Sequence, residues 1–300
     1  MSNRVKIKGT CFVIGASGVI GSVLYSKLLA DRRRTLGTRN TSTSIAALIP
    51  FDLSHDNAVE FARQVSPEDT VYVLAAYSNP SWIYSHRDSA ISLNRDGTKR
   101  LIDALRPVQP HLIFMSSVEV FDGIKGAYAE GDTPNPVNFY GELKLEIELH
   151  LRATYARSTI VRTGWNVGPN IGTRCVVRLT YESLLKPSAR MSHDNVFSII
   201  DAADTAEGLL RLSGADDISE IHFASDTPLR RIDLANLVKI YSCRGPEMSF
   251  LPCNFADITY SEPRGLLNNL SNNYSKQRLG LNYRATEDVV IAKVKLLDQI

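Results

Sequence analysis

Thr10-Cys11-Phe12-Val13-Ile14-Gly15-Ala16-Ser17-Gly18-Val19-Ile20-Gly21 opens with an apolar run, breaks into three glycines at intervals of three, and leads into Val23, Leu24 and Leu28. With Ile20, these last residues recur at helical spacing, so the order is strand, glycine turn, helix. A dinucleotide site needs that context. Gly15 permits the tight turn, Gly18 lets the backbone approach a pyrophosphate, and Gly21 lets helix pack on strand; Ser17, Val19 and Ile20 complete the turn, where the helix start offers free N–H groups to an anion. The competing reading is a tight βα turn without a ligand.

Working outward, Thr35 to Arg39 reads as a second strand, preceded by Arg32, Arg33 and Arg34. Where an acid would bond the ribose hydroxyls of NAD, the chain has Arg39 and Asn40. A cation there suits a 2′-phosphate, so NADP(H) is the preferred cofactor, with NAD(H) possible; the alternative is a solvated charge at a strand end. Ala47 to Phe51 reads as a third strand, with Asp52 and Leu53 at its end where an adenine can be held. A helix from Asp56 to Val65 leads to the strand Thr70 to Ala76, whose last residues Ala75 and Ala76 join the cofactor set. Strands alternating with helices imply an α/β fold, a Rossmann-type doubly wound parallel sheet.

After a loop at Ser78 to Trp82, a long helical pattern runs from Ile83 to Leu105, ended by Pro107 and Pro110. The strand His111 to Met115 then delivers Ser116-Ser117-Val118-Glu119-Val120-Phe121-Asp122-Gly123, and serines at the C-terminal end of a strand lie where open α/β sheets bind ligands. Tyr140 and Lys144 stand one helical turn apart and share a face. An ammonium beside a phenol favours the phenolate, and moving its pKa from ~10 to about 7 takes roughly 4 kcal/mol, which Lys144 and an oxidised nicotinamide can supply. That chemistry suits interconversion of an alcohol and a ketone, although the spacing alone is common.

Leu143, Leu145, Ile147, Leu149 and Leu151 alternate with polar residues, which by period says strand, whereas Leu, Glu and Lys favour helix. As a helix the segment carries two apolar stripes, 143/147/151 and 145/149, and the second predicts a homodimer, in competition with burial on both sides within one chain. Ser158 to Thr163 reads as the sixth strand, opening into Gly164-Trp165-Asn166-Val167-Gly168-Pro169. The expected division is a dinucleotide-binding domain over 1–163, with returns to the main sheet near 196–213 and 220–225, and a smaller, discontinuous C-terminal substrate lobe over 164–300.

A hydrophobic content of 44% suffices for a substantial core, and a net charge of +2 gives no electrostatic case for nucleic acid or an anionic membrane. Cys11, Cys175, Cys243 and Cys253 are scattered without metal-ligand or disulfide spacing, so no metal is expected and a cytoplasmic location fits. Arg4, Lys6 and Lys8 before the apolar run imitate a signal peptide, but three glycines within the run argue against one.

Taken together and in order, Gly15-x-x-Gly18-x-x-Gly21, Ser117, Tyr140-x-x-x-Lys144 and Asn166-Val167-Gly168-Pro169 resemble the extended short-chain dehydrogenase/reductase family, in its sugar-nucleotide branch. Ser116 to Gly123 with Trp165 looks most like the dTDP-4-dehydrorhamnose reductase group. The resemblance implies a 4-ketoreductase of nucleotide-linked hexoses. In it Tyr140 donates a proton to the carbonyl oxygen, Lys144 lowers the phenol's pKa and touches the nicotinamide ribose, and Ser117 hydrogen-bonds the same oxygen. Ser78, Asn166 and Arg264 fall to the substrate, the last two at its diphosphate. Val118 departs from the group's common Asp and disfavours dehydration, while Glu119 stands where some relatives carry a proton-abstracting residue; its other reading is a solvent-facing carboxylate. The alternatives are an NAD-retaining epimerase or dehydratase and a non-catalytic NADP(H)-binding regulatory partner.

Overall fold

The computed structural model describes residues 9–41 and 47–300; Arg4, Lys6 and Lys8 lie outside the described residues. The expected alternation is present: β1 (Cys11–Ile14), α1 (Val19–Ala30), β2 (Thr35–Arg39), β3 (Ile49–Pro50), α2 (Ala58–Ala62) and β4 (Thr70–Val73) follow one another. The long helical pattern resolves into α3 (Pro80–Ser85), a break at His86, α4 (Arg87–Ala90), a π-helical stretch at Ile91–Gly97 and α5 (Thr98–Leu105). β5 (His111–Met115), α6 (Phe139–Thr154) and β6 (Ser158–Thr163) complete this half.

The later chain is more finely divided. It runs through β7 (Trp165–Val167), α7 (Val176–Leu184), β8 (Arg190–Ser192), β9 (Val196–Phe197), β10 (Ile199–Asp201), α8 (Ala202–Leu212) and β11 (Glu220–Phe223). It ends with β12 (Leu229–Arg230), α9 (Arg231–Tyr241), β13 (Leu251–Cys253), β14 (Leu267–Asn268), α10 (Asn273–Leu279) and α11 (Thr286–Leu297).

Seven strands form one parallel sheet in the order β11-β6-β5-β4-β1-β2-β3. Parallel strands covered on both faces need unbroken apolar runs, and β1, β4 and β5 are buried throughout. Alternate residues feed opposite layers: Cys11 and Val13 pack with Leu24, Leu28, Leu209 and Leu212 of α1 and α8, while Phe12 and Ile14 pack in the layer of Phe61, Leu101, Ile102, Ile147 and Leu151 from α2, α5 and α6.

Composition, not period, decides α6. Asn138 caps it by accepting from the Gly141 N–H at 3.0 Å. Ile147 and Leu151 face the sheet and Leu143 packs with Ile83 and Ala90 of α3 and α4; of the second stripe, Leu145 packs inside the chain and Leu149 stays 58% exposed, so the surplus apolar face is narrower than expected.

The segment Val196 to Ile200 does not return to the main sheet as expected. β9 pairs with β12 and β14, and β10 pairs with β7. The free edge of β6 is taken by β11, and Ser198 sits between two small sheets, its carbonyl accepting from Trp165 N–H and its hydroxyl from Leu270 N–H. The following helix α8 does lie on the main sheet. A separate core gathers Val176, Val177 and Leu184 with Leu234 and Val238 of α9 and Val290 and Val294 of α11.

Candidate active site

β1 ends in Gly15 at φ +89°, a left-handed conformation that favours glycine. Gly18 closes the turn by donating to the Gly15 carbonyl at 3.0 Å, and the Gly15 N–H donates to the Thr38 hydroxyl at 3.1 Å. A Cβ on Gly21 would lie 2.2 Å from the Gly15 carbonyl oxygen, so only glycine lets α1 come this close. No side chain caps the start of α1. Its orphan N–H groups and positive end therefore suit a pyrophosphate, and the turn fits a dinucleotide. At the end of β2, Arg39 holds a buried Nε with no hydrogen-bond partner among the described residues. Asn40 helps stabilise the Asp52 carboxylate, whose acidity is also raised by the Ser54 N–H. The Leu53 side chain is buried in the core, and its carbonyl lies close against Gly97.

An open cavity of about 380 Å³ lies over the C-terminal ends of the strands. Gly15, Gly18, Val19, Ile20, Gly21, Ala76, Ser78, Ser117, Glu119, Tyr140, Lys144, Asn166 and Arg264 all line it. Ser17, Ala75, Arg39, Asn40, Asp52 and Leu53 do not: Ala75 packs behind Gly15, and the others lie in the turn or toward the β2–β3 edge. Sequence reasoning missed Arg174, an exposed guanidinium that also lines the cavity and has no ion-pair or hydrogen-bond partner among the described residues. It stands in an aperiodic loop, so no spacing pointed to it. Asn94 was missed as well, although a polar residue on the apolar side of a helical pattern was the available signal. From the π-helical stretch it clamps the loop behind Ala76, accepting from Tyr77 N–H at 2.9 Å and donating to Tyr77 O at 2.8 Å.

Ser117 is extended and caps a short 3-10 turn by accepting from the Glu119 N–H at 3.2 Å, which leaves its hydroxyl proton to donate elsewhere. Tyr140 and Lys144 are both buried. The Lys144 ammonium donates to the Met115 carbonyl at 2.7 Å and lies 5.9 Å from the centre of the Tyr140 ring. Burial lowers its pKa to about 8, opposed by the Glu148 carboxylate. The expectation that Lys144 depresses the phenol is corrected here: burial and the Glu119 charge push the Tyr140 pKa up, with only the Ser117 hydroxyl acting against them. Removing a phenol from water disfavours its anion. Tyr140 is thus a protonated phenol at neutral pH.

Glu119 is not solvent-facing. One carboxylate oxygen accepts from Asn138 Nδ2 at 2.6 Å, and the other accepts from Asn268 Nδ2 at 3.0 Å and lies 3.9 Å from Arg264 Nη1. Arg264 also donates to the Ser81 hydroxyl at 3.2 Å, and its buried Nε is unpartnered. Asn166 is engaged within the chain, donating to Thr163 Oγ1 and the Gly164 carbonyl and accepting from Thr205 Oγ1 at 2.6 Å. Its amide has little capacity left for a ligand.

The chain is similar to a dTDP-4-dehydrorhamnose reductase of Sinorhizobium fredii, 32% identical over 51% of this chain and 49% of the relative. It is also similar to the methionine adenosyltransferase 2 subunit beta of Bos taurus, 30% identical over 45% of this chain and 40% of the relative. The matched stretches thus span about half or less of these relatives. Among solved structures, the dTDP-4-dehydrorhamnose reductase of Clostridium acetobutylicum superposes with a TM-score of 0.82 at 21% identity, covering 97% of this chain and 100% of that one. That of Bacillus anthracis, solved in complex with NADP, gives 0.77 at 19% identity over 94% and 97% of the two chains. MoeE5, solved with UDP-glucose and NAD, gives 0.78 at 19% identity over 97% and 99%. These structural likenesses establish the Rossmann-like fold. Residues 9–296 match the profile described as RmlD substrate binding domain, and the chain belongs to that family.

Proposed function

We propose that this protein reduces the 4-keto group of a nucleotide-linked deoxyhexose with NADPH. The observation that carries the proposal is the meeting of Ser117, Tyr140 and Lys144 with the glycine turn around one cavity whose lining also includes Arg174 and Arg264. Bound NADPH supplies a hydride to the ketone carbon. Tyr140, protonated at neutral pH, gives its proton to the developing alkoxide, and Ser117, with its hydroxyl proton free, donates a hydrogen bond to the same oxygen. Lys144, with its ammonium beside the Tyr140 ring, stabilises the phenolate left behind.

Arg174 and Arg264 suit a substrate diphosphate, replacing Asn166 in that role. Arg39 is the residue for the 2′-phosphate of NADP(H), supported by the Bacillus anthracis relative solved with NADP. Because the Glu119 carboxylate already accepts from two asparagines, it serves better to fix Asn138 and Tyr140 than to abstract a proton. In the same proposal residues 164–300 form most of the substrate lobe and α6, with Leu149 exposed, forms a homodimer surface.

The likeness to an adenosyltransferase subunit beta favours a second reading, a cofactor-binding protein without turnover. Oxidation of NADPH and NADH by purified protein against a panel of nucleotide-linked 4-ketosugars, with products identified by NMR, separates the two. The first reading expects NADPH-preferring turnover with one or a few of them; NADPH binding without turnover of any would overturn it.

A further inference from the structure

Glu148 lies on α6 one turn beyond Lys144, and its carboxylate is fully buried. It accepts from the Ser116 hydroxyl at 2.5 Å and from Arg162 twice, Nε at 3.0 Å and Nη2 at 2.6 Å. Arg162, on β6, is likewise fully buried; its remaining nitrogen donates to Glu220 of β11 at 2.5 Å, and its guanidinium lies 5.0 Å over the Phe121 ring. Such a bidentate pair is rigid, since each partner's planar fork fixes the other. It ties the end of β5, where Ser116 precedes Ser117, to the helix that carries Tyr140 and Lys144.

Lys144 makes no ion pair among the described residues; its only hydrogen bond is to the Met115 carbonyl. The ionisable groups around it are few. Tyr140 and Glu148 share its helix, as does Arg152, whose Nη2 lies 3.8 Å from the Glu148 carboxylate; Arg162 approaches from β6 through Glu148, and Glu119 on the 3-10 turn is committed to Asn138, Asn268 and Arg264. We propose that Glu148 is a positioning residue of the active site: held by Arg162, it fixes Ser116 at the strand end and supplies the counter-charge that keeps the Lys144 ammonium protonated beside Tyr140. The proposal rests on the reductase reading for its meaning, but its physical content does not depend on turnover. The competing role is purely structural, with Glu148 doing no more than neutralising Arg162.

The two roles separate in the titration of Lys144, followed by NMR in protein labelled at lysine Cε, with the signal identified by its absence in Lys144→Arg. In Glu148→Gln the Lys144 midpoint falls by about one pH unit or more, because an opposite charge one turn away is lost. That variant leaves Arg162 with one carboxylate fewer and is expected to be less stable, so Glu148→Gln/Arg162→Met serves as the companion for stability; because it also removes the opposing guanidinium charge, its Lys144 midpoint falls less than in Glu148→Gln. Glu148→Asp retains the charge and a midpoint near wild type. If neither Glu148→Gln nor the double variant lowers the Lys144 midpoint, Glu148 is structural only and the proposal fails. Should the titration behave as expected while no ketosugar is reduced, the reductase reading fails and the positioning role stands.

Discussion

Gly141→Ala tests whether the start of α6 sets the gap between Tyr140 and Ser117. A Cβ at Gly141 would lie 2.0 Å from the Glu119 carbonyl oxygen, 2.8 Å from the Glu119 carbonyl carbon and 2.9 Å from Pro136 Cβ. An ordinary carbon–oxygen contact is about 3.3 Å, so the helix start and the Ser117–Glu119 turn must part by about 1.3 Å. Both obstacles at Glu119 are backbone and cannot swing away. A misplacement of about 1 Å between reacting groups costs on the order of 100-fold in rate, or about 2.7 kcal/mol of barrier. Overpacking of this kind costs about 1–3 kcal/mol of stability, a fall of several degrees in Tm. The glycine turn that holds the cofactor is on another element, so the NADPH dissociation constant, read by fluorescence titration, stays within about threefold of wild type. Gly131→Ala is the control, since a Cβ there meets nothing within 4 Å. A Gly141→Ala enzyme that loses Tm yet keeps kcat within about threefold would refute the idea that this contact fixes the reacting geometry.

Tyr140→Phe removes the proton donor without altering packing; turnover of a ketosugar should fall by about 1,000-fold or more with NADPH binding unchanged, and a surviving kcat would exclude the tyrosine as donor. Arg39→Ala should weaken NADPH by about tenfold or more and NADH far less, in paired titrations; equal losses would remove Arg39 from the 2′-phosphate. His111 donates Nε2–H to Thr159 Oγ1, whose own proton goes to the Ile218 carbonyl, so Nδ1 is left buried and unprotonated. Burial pulls its pKa from 6.5 down to about 4. The unfolded chain takes up that proton first, so stability is lost as pH falls from about 6.5 towards about 4, by about 3 kcal/mol in all. Denaturant unfolding at pH 7 and pH 4.5 should differ less in His111→Leu than in wild type; an equal difference would place the acid sensitivity elsewhere.

The parts of the site legible in the sequence were those tied to a period or a turn. Gly15, Gly18 and Gly21 announce themselves because a strand precedes them and a helix follows, and Tyr140 and Lys144 because four residues make one turn. Arg174 carries no such mark, since it enters the cavity lining from an irregular loop; Arg264 also stands in a loop, and it was the family resemblance, not a period, that singled it out. The ionisation of Tyr140 was misjudged for a related reason, since Lys144 was visible in the sequence but the depth of burial and the nearness of Glu119 were not. Val196 to Ile200 has the residues of a strand; which sheet it joins depends on which segment takes the edge of β6, and in the folded chain that segment is β11.

That last pairing bears on how the protein is made. A ribosome emits Ser117, Tyr140, Lys144, Glu148 and Arg162 well before β11, the strand that covers β6. At about 5–20 residues per second, the 57 residues from Gly164 to Glu220 take roughly 3–11 s to appear. During that interval the nascent sheet presents the backbone of β6 unpaired, and Arg162 waits with one of its two carboxylate partners. A fragment ending near Thr163 would therefore hold every proton-handling group yet tend to pair edge to edge with its own copies, so the late strand β11 shields the edge of β6 as well as forming the outermost strand of the sheet.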